Sequence, residues 1–304
     1  MLGSIATEIA SLFLLIGASV FCKKKGLITD DMERRVSDFV IYVSIPATLI
    51  LSINGMDTGD GRAFWTKLPL MVGAAYLFTI VFTLVFSFFL RCGKAEKRTL
   101  GFMMIFNNVG NIALPVAGAM FGNEGLLYAT VFMLFFNIIV WTLGIAILSR
   151  GAVRFSPRMF LSPALLSIVA GFVIYLSPFS LPGFLHLTLS RLSGMLSPMA
   201  MLIIGCALAS LNPRKILRNR LIWRFVLVKQ LVLPMVFFLL ARLVVSDWRA
   251  VAITTLLVAM PSAVSMVPVV KKYGADSALA AQAVVATTVV ALPAIPVLMW
   301  LMSL

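Results

Sequence analysis

Residues 106–122 read FNNVGNIALPVAGAMFG, from Phe106 to Gly122. They sit inside a stretch otherwise long and apolar enough to cross a bilayer. Asn107, Asn108, Asn111, Gly110 and Pro115 are poor material for a membrane helix, because Asn and Gly lower helix propensity and Pro removes a backbone donor. An unpaired backbone group in hydrocarbon costs several kcal/mol. A broken helix is tolerated there only where protein buries it or where it lines a wet cavity. The stretch therefore predicts a helix interrupted on purpose near mid-membrane.

The chain around it is 61% hydrophobic and 12% charged, against about 45–50% and about 25% in ordinary soluble domains. The charges fall in short clusters separated by apolar runs of roughly 20 residues, the length that spans ~30 Å of hydrocarbon. Ten spans follow, at about 3–22, 36–55, 68–90, 99–122, 125–148, 160–178, 189–211, 222–245, 250–270 and 277–303. Lys23–Lys25 follow the first span where a cleavage site would have small residues, so it reads as a retained helix. Cys22, Cys92 and Cys206 have no metal-ligand spacing and read as small apolar residues.

The net charge of +14 is distributed as membrane topology, not as a nucleic-acid surface. Loops after odd-numbered spans carry Lys23, Lys24, Lys25, Arg34 and Arg35; Arg91, Lys94, Lys97 and Arg98; Arg150, Arg154 and Arg158; Arg214, Lys215, Arg218, Arg220 and Arg224; and Lys271 and Lys272. Loops after even-numbered spans carry only Arg62, Lys67, Arg191, Arg242 and Arg249. The positive-inside rule then puts the odd loops in the cytoplasm and both termini outside.

Slid against itself by 152 residues, the chain places Pro46 on Pro198 and FGNEGLL (121–127) on YGADSAL (273–279). Residues 1–152 and 153–304 are thus expected to be two five-span repeats. Five is odd, so the second repeat enters from the opposite face, the inverted arrangement common in secondary transporters. Span 4's break then has a counterpart in span 9, MPSAVSMVP (260–268), with Pro261, Ser262, Ser265 and Pro268. Pro115 and Pro268 fit the first turn of a second half-helix, with Asn111 and Ser265 placed to cap it and Gly110 free for a positive φ or close approach. Half-helix N-termini meeting at the midplane would favour an anion. Asn137 and Gln282, in the spans that follow the two breaks, could face the crossing and could equally make interhelical hydrogen bonds. Thr287 and Thr288 read as structural. Lys229, about a turn inside span 8, reads as a lysine that snorkels to the interface, with a substrate counter-ion as the alternative. Gly118 and Gly122, in GxxxG spacing, read as a packing seam for the second half of span 4.

An enzyme would need a nucleophile with its base, or a metal cluster; none appears, and the only histidine, His186, falls in an expected outer loop. No nucleotide-binding motif is present, and no cofactor is expected.

NNVGNIALP (107–115), FGNEGLLYA (121–129), NIIVWTLG (137–144) and AMPSAVSMVPVVKKYGAD (259–276), with Pro46 in YVSIPATLI, resemble the auxin efflux carrier family of membrane transporters. The resemblance covers essentially the whole chain. Ala113 departs from the glycine many members carry there, and the short 149–159 loop is similar to that of prokaryotic members. The resemblance implies an all-α fold similar to the bile acid–sodium symporters, with spans 1, 2, 6 and 7 as scaffold and spans 3–5 and 8–10 as transport domain. It also implies broken crossing helices 4 and 9, in which Asn111, Pro115 and Pro261 match the family's crossing motif, and dimers formed through the scaffold. The function expected is secondary transport of a small organic anion, an auxin-like acid or a small carboxylate, across the inner membrane by an elevator-like motion. A sodium-coupled symporter is the alternative.

Overall fold

The computed structural model describes residues 2–54, 61–148, 163–177, 181–209 and 218–303. The loop at 149–159 with Arg150, Arg154 and Arg158 lies outside them, as do Arg214 and Lys215 and the side chains of Arg62, Pro268, Lys271 and Lys272.

Every extended element among these residues is helical. Five segments are long and apolar enough to cross a membrane: Lys67–Phe89, Val109–Ile139, Gly183–Cys206, Arg220–Val244 and Ser277–Met302. Shorter apolar helices run over Leu166–Leu176 and Trp248–Val258. Large apolar side chains stand open, with Phe88, Leu243 and Val244 each more than four-fifths exposed (83%, 82% and 85%). Such a surface suits lipid, not water. This is a membrane protein.

Helices begin earlier than hydropathy suggests. The second starts at Asp30, where the Thr29 side chain accepts from Met32 N–H, and another starts at Gly183, which places His186 inside a helix instead of a loop. Caps and polar first turns start helices that a hydropathy window does not see.

The chain divides into two compact units. The first comprises Met1–Phe64, Gly110–Thr130 and Ser156–Leu211; the second comprises Trp65–Val109, Val131–Phe155 and Asn212–Leu304. In the first, α1 (Leu2–Lys24) packs on α10 (Leu196–Ala209), and α3 (Ile45–Asn54) packs on α8 (Pro163–Leu176) and α9 (Gly183–Gly194). The α1–α10 contact is backbone-close. A Cβ on Gly205 would come within 2.4 Å of Ser19 Cβ and 2.7 Å of the Ile16 carbonyl.

In the second unit α15 (Ser277–Ser303) is the central packing element. It contacts α5 (Lys94–Ile105), α11 (Arg220–Leu227), α13 (Trp248–Val258) and α14 (Met266–Lys272). The unit also contains α4 (Gly61–Phe89, from Trp65 onward) and α12 (Leu233–Val244), which packs on α13. Gly144 lets the Phe106 and Phe102 rings pack close, since a Cβ there would meet them at 2.9 and 3.1 Å.

Three of the π turns among the described residues share one cause. Val40–Ser44 precedes Ile45-Pro46, Val109–Ala113 precedes Leu114-Pro115, and Val228–Val232 precedes Leu233-Pro234. Proline offers no N–H, and its ring collides with the carbonyl four residues back. Widening the turn moves that carbonyl aside. Accordingly the N–H of Ile45 reaches back five residues to Val40, and that of Leu233 to Val228.

The helix α6 (Leu114–Ile139) is two helices joined at Gly122, whose φ of 62° and ψ of −142° are not helical. Gly274, its counterpart at the 152-residue offset, has a φ of 67°. Among the described residues the only other positive-φ glycine is Gly26, so Gly110 does not use that freedom. The two arms at Gly122 close tightly. A Cβ on Gly118 would lie 2.8 Å from Leu126, and one on Gly125 would lie 2.2 Å from the Ala117 carbonyl. Gly118 is the packing residue the GxxxG spacing suggested; Gly122 is the turn itself, and Gly125 completes the seam. Gly125→Ala is expected to cost about 3 kcal/mol through this backbone collision. Gly183→Ala, with open space around the new methyl, is expected to stay within about 0.5 kcal/mol of wild type. Thermal unfolding of the two purified variants checks the contrast.

Candidate functional site: the crossing of two interrupted helices

α5 ends at Ile105, and Phe106 turns extended with φ −97° and ψ 103°. α13 ends at Val258, and helix resumes only at Met266. The chain between these ends is unwound in both places, and within the second unit the two unwound segments pair. Asn107 and Ser262 form an antiparallel bridge. Asn108 N–H donates to the Pro261 carbonyl at 2.8 Å, and Ala263 N–H donates to the Phe106 carbonyl at 3.0 Å.

Side chains then cap the half-helix ends reciprocally. Asn107 Nδ2 donates to the carbonyls of Leu257 and Val258, at 2.8 and 3.2 Å, in the last turn of α13. Ser262 Oγ donates to the Met103 carbonyl at 2.8 Å in the last turn of α5. These are carbonyls that a helix end leaves without an intrahelical partner. Each interrupted segment supplies the cap for the other helix. Thr287 on α15 adds a third point, its Oγ1 accepting from Ser262 N–H at 3.1 Å.

Lys229 completes the cluster. Its Nζ donates to the Met104 carbonyl at 2.8 Å and to Asn107 Oδ1 at 2.6 Å. The side chain is fully buried at 0% exposure, which corrects the expectation that it snorkels to the interface. The reason is local: the carbonyl end of α5 and the Asn107 amide oxygen offer acceptors inside the protein.

The other expected site residues fall in several places. Gly110 and Asn111 lie in the π turn Val109–Ala113, and Pro115 is the second residue of α6; all three belong to the first unit. Helical turns thus resume at Val109, and Asn111 lies within the turn instead of just before a helix. Ser265 immediately precedes α14 and is exposed, while Pro268 is its third residue. Asn137 donates from Nδ2 to the Met133 carbonyl of its own helix at 2.8 Å. Gln282 Oε1 accepts from Asn219 Nδ2 at 2.8 Å, and Asn219 in turn caps α11. Gln282 precedes Thr287 by five residues, which is about 7 Å along the helix.

Sequence reasoning passed over Gln230. It is 1% exposed, and neither its amide nitrogen nor its oxygen has a partner among the described residues. The available signal was the pair Lys229-Gln230 within an apolar span, four residues before Pro234.

Asn107→Ala strands the Val258 carbonyl, leaves the Leu257 carbonyl only weak backbone donors such as Met260 N–H at 3.4 Å, and removes one acceptor of Lys229. At roughly 1–3 kcal/mol for each unsatisfied buried group, the expected loss of stability is about 3 kcal/mol or more. Asn137→Ala removes a bond within one helix and should cost less than about 1 kcal/mol. Thermal unfolding in detergent distinguishes them; equal losses would mean that the crossing is not held by the Asn107 amide.

The chain was compared with known proteins. A family model described as "Membrane transport protein" matches twice, over residues 4–156 and 154–299, once on each half. An uncharacterized transporter of Methanocaldococcus jannaschii is 25% identical over 303 residues, covering 95% of this chain and 96% of its own. With both halves matched by one model, the chain belongs to the membrane transport protein family, the auxin efflux carrier family that residues 107–115 resemble.

Proposed function

We propose that this protein is a secondary transporter of a small organic anion, a carboxylate or auxin-like acid, working by alternating access in the inner membrane. The observation that carries the anion is the buried lysine at the crossing. Lys229 takes part in none of the ion pairs found among the described residues, so the cluster holds a basic group without a carboxylate partner. A substrate carboxylate supplies the missing charge.

The matched halves and the equivalent glycines Gly122 and Gly274 support two five-span repeats, 1–152 and 153–304, taken as inverted because five is odd, giving ten spans. The excess of Lys and Arg in the odd-numbered loops supports both termini outside. The division of the chain into two units supports an elevator-like cycle. Spans 1, 2, 6 and 7 fall in the first unit, while spans 3, 8, 9 and 10, the first half of span 4 and most of span 5 fall in the second. Asn107, Ser262 and Thr287 act as the frame. Contact with the anion is assigned to Asn108 and Gln230 of the second unit, with Pro261 and Pro268 shaping the backbone around it. A homodimer through the first unit accompanies this reading.

The test is thermal unfolding of purified protein against small carboxylates, indole acids and their neutral amides. An anion that binds the native state at a hundred times its Kd raises stability by about 2.7 kcal/mol. The expected result is a shift with one class of acid, absent with its amide, and abolished in Asn108→Ala and Gln230→Met while both variants stay folded. Amides as effective as acids would overturn the anion assignment. Gln230→Met, which removes a buried unpaired amide, is expected to match or exceed wild-type stability without ligand, by up to about 1–3 kcal/mol.

A further inference from the structure

We infer that Lys229 is a tethered cation occupying the position a coupling metal ion would take, so that the crossing binds and needs no sodium. The oxygens around Nζ carry this. In interrupted membrane helices, monovalent cations are held by unwound carbonyls, side-chain oxygens and the C-terminal ends of half-helices, where the helix dipole is negative. Nζ of Lys229 has such a set: the Met104 carbonyl in the last turn of α5 at 2.8 Å and Asn107 Oδ1 at 2.6 Å. The neighbouring Met103 carbonyl of the same helix end is taken by Ser262 Oγ.

Among the described residues of the second unit, no carboxylate pairs with this lysine. The acidic residues of the second unit are Glu96, Asp247 and Asp276. All three serve helix starts: Glu96 accepts from Gly93 N–H, Asp247 from Arg249 and Ala250 N–H, and Asp276 from Leu279 N–H. Among the described residues, the positive end of Lys229 therefore answers two carbonyl oxygens. A sodium ion brought to the same oxygens would meet the ammonium at contact distance and be repelled. The tether also has a fixed length, because the π turn at Val228–Val232 sets where Lys229 leaves its helix.

The inference deepens the anion-transport reading. Its test contains no organic anion, so either can fail without the other. Wild type and Lys229→Ala are unfolded thermally in lithium, sodium, potassium, choline and n-propylammonium chlorides at equal ionic strength. Wild type is expected to unfold at the same midpoint in all five, within about 1 °C, and Lys229→Ala about 5 °C or more lower in choline. In the variant, sodium or propylammonium recovers part of that loss, because the vacated oxygens again meet a cation. Lys229→Met fills the volume without charge and is expected to respond to neither. Lys229→Gln, which keeps neutral donors, replaces Lys229→Ala if that variant cannot be isolated. A sodium-specific rise in the wild-type midpoint overturns the inference without any variant. So does an alanine or glutamine variant that is as stable as wild type, or that responds to no cation.

Discussion

Hydrocarbon supplies no hydrogen bonds, so every backbone group that an interrupted helix frees must find its partner inside the protein. The crossing is organised around that requirement. Breaking α5 after Ile105 and α13 after Val258 exposes carbonyls at two helix ends. The residues that break the helices also repair them: Asn107 serves α13, Ser262 serves α5, and the two-residue bridge pairs the backbone between. Neither interruption is viable alone, because each lacks its own cap.

Much of this was legible. Asn107-Asn108, Pro261 and the glycines at 122 and 274 marked the interruptions and the repeat, because polar and turn-forming residues stand out against an apolar background. What could not be read was which helix ends matter. Proline and asparagine patterns point to helix starts, and the expectation centred on N-termini. The contacts within the second unit engage the carbonyl ends instead, since those are the ends at the bridge. Lys229 was misplaced for a related reason. Its acceptors lie more than a hundred residues away in sequence, and a lysine one turn inside a span is ordinarily within reach of water. Gln282 makes a bond beyond its own helix, to Asn219, as the alternative reading had it, whereas Asn137 bonds within its own helix, which neither reading had.

The prolines divide in a way that composition alone does not reveal. Pro46, Pro115 and Pro234 each follow a π turn by one residue, while Pro69, Pro293 and Pro296 sit inside long helices. In the first group the strain of the ring is absorbed by widening the preceding turn. Among the described residues, the two buried side chains that hold unpaired polar atoms, Ser44 and Gln230, occupy such turns. A widened turn lowers local order in the hydrogen-bond ladder and gathers polar atoms where an unbroken helix would present none.

A π turn is also a surplus of one residue, and the surplus is a register. One residue in an α-helix corresponds to about 100° of rotation. Losing an apolar residue within Val228–Val232 would drive the Pro234 ring against the carbonyl four residues back and turn Leu233–Val244 by about that angle relative to Arg220–Leu227. The half of the span that packs on α13 and the half that packs on α15 would then no longer face their partners together. Length at this point is therefore under tighter constraint than composition: substitutions among the apolar residues of the turn leave the phase intact, and a single-codon deletion does not.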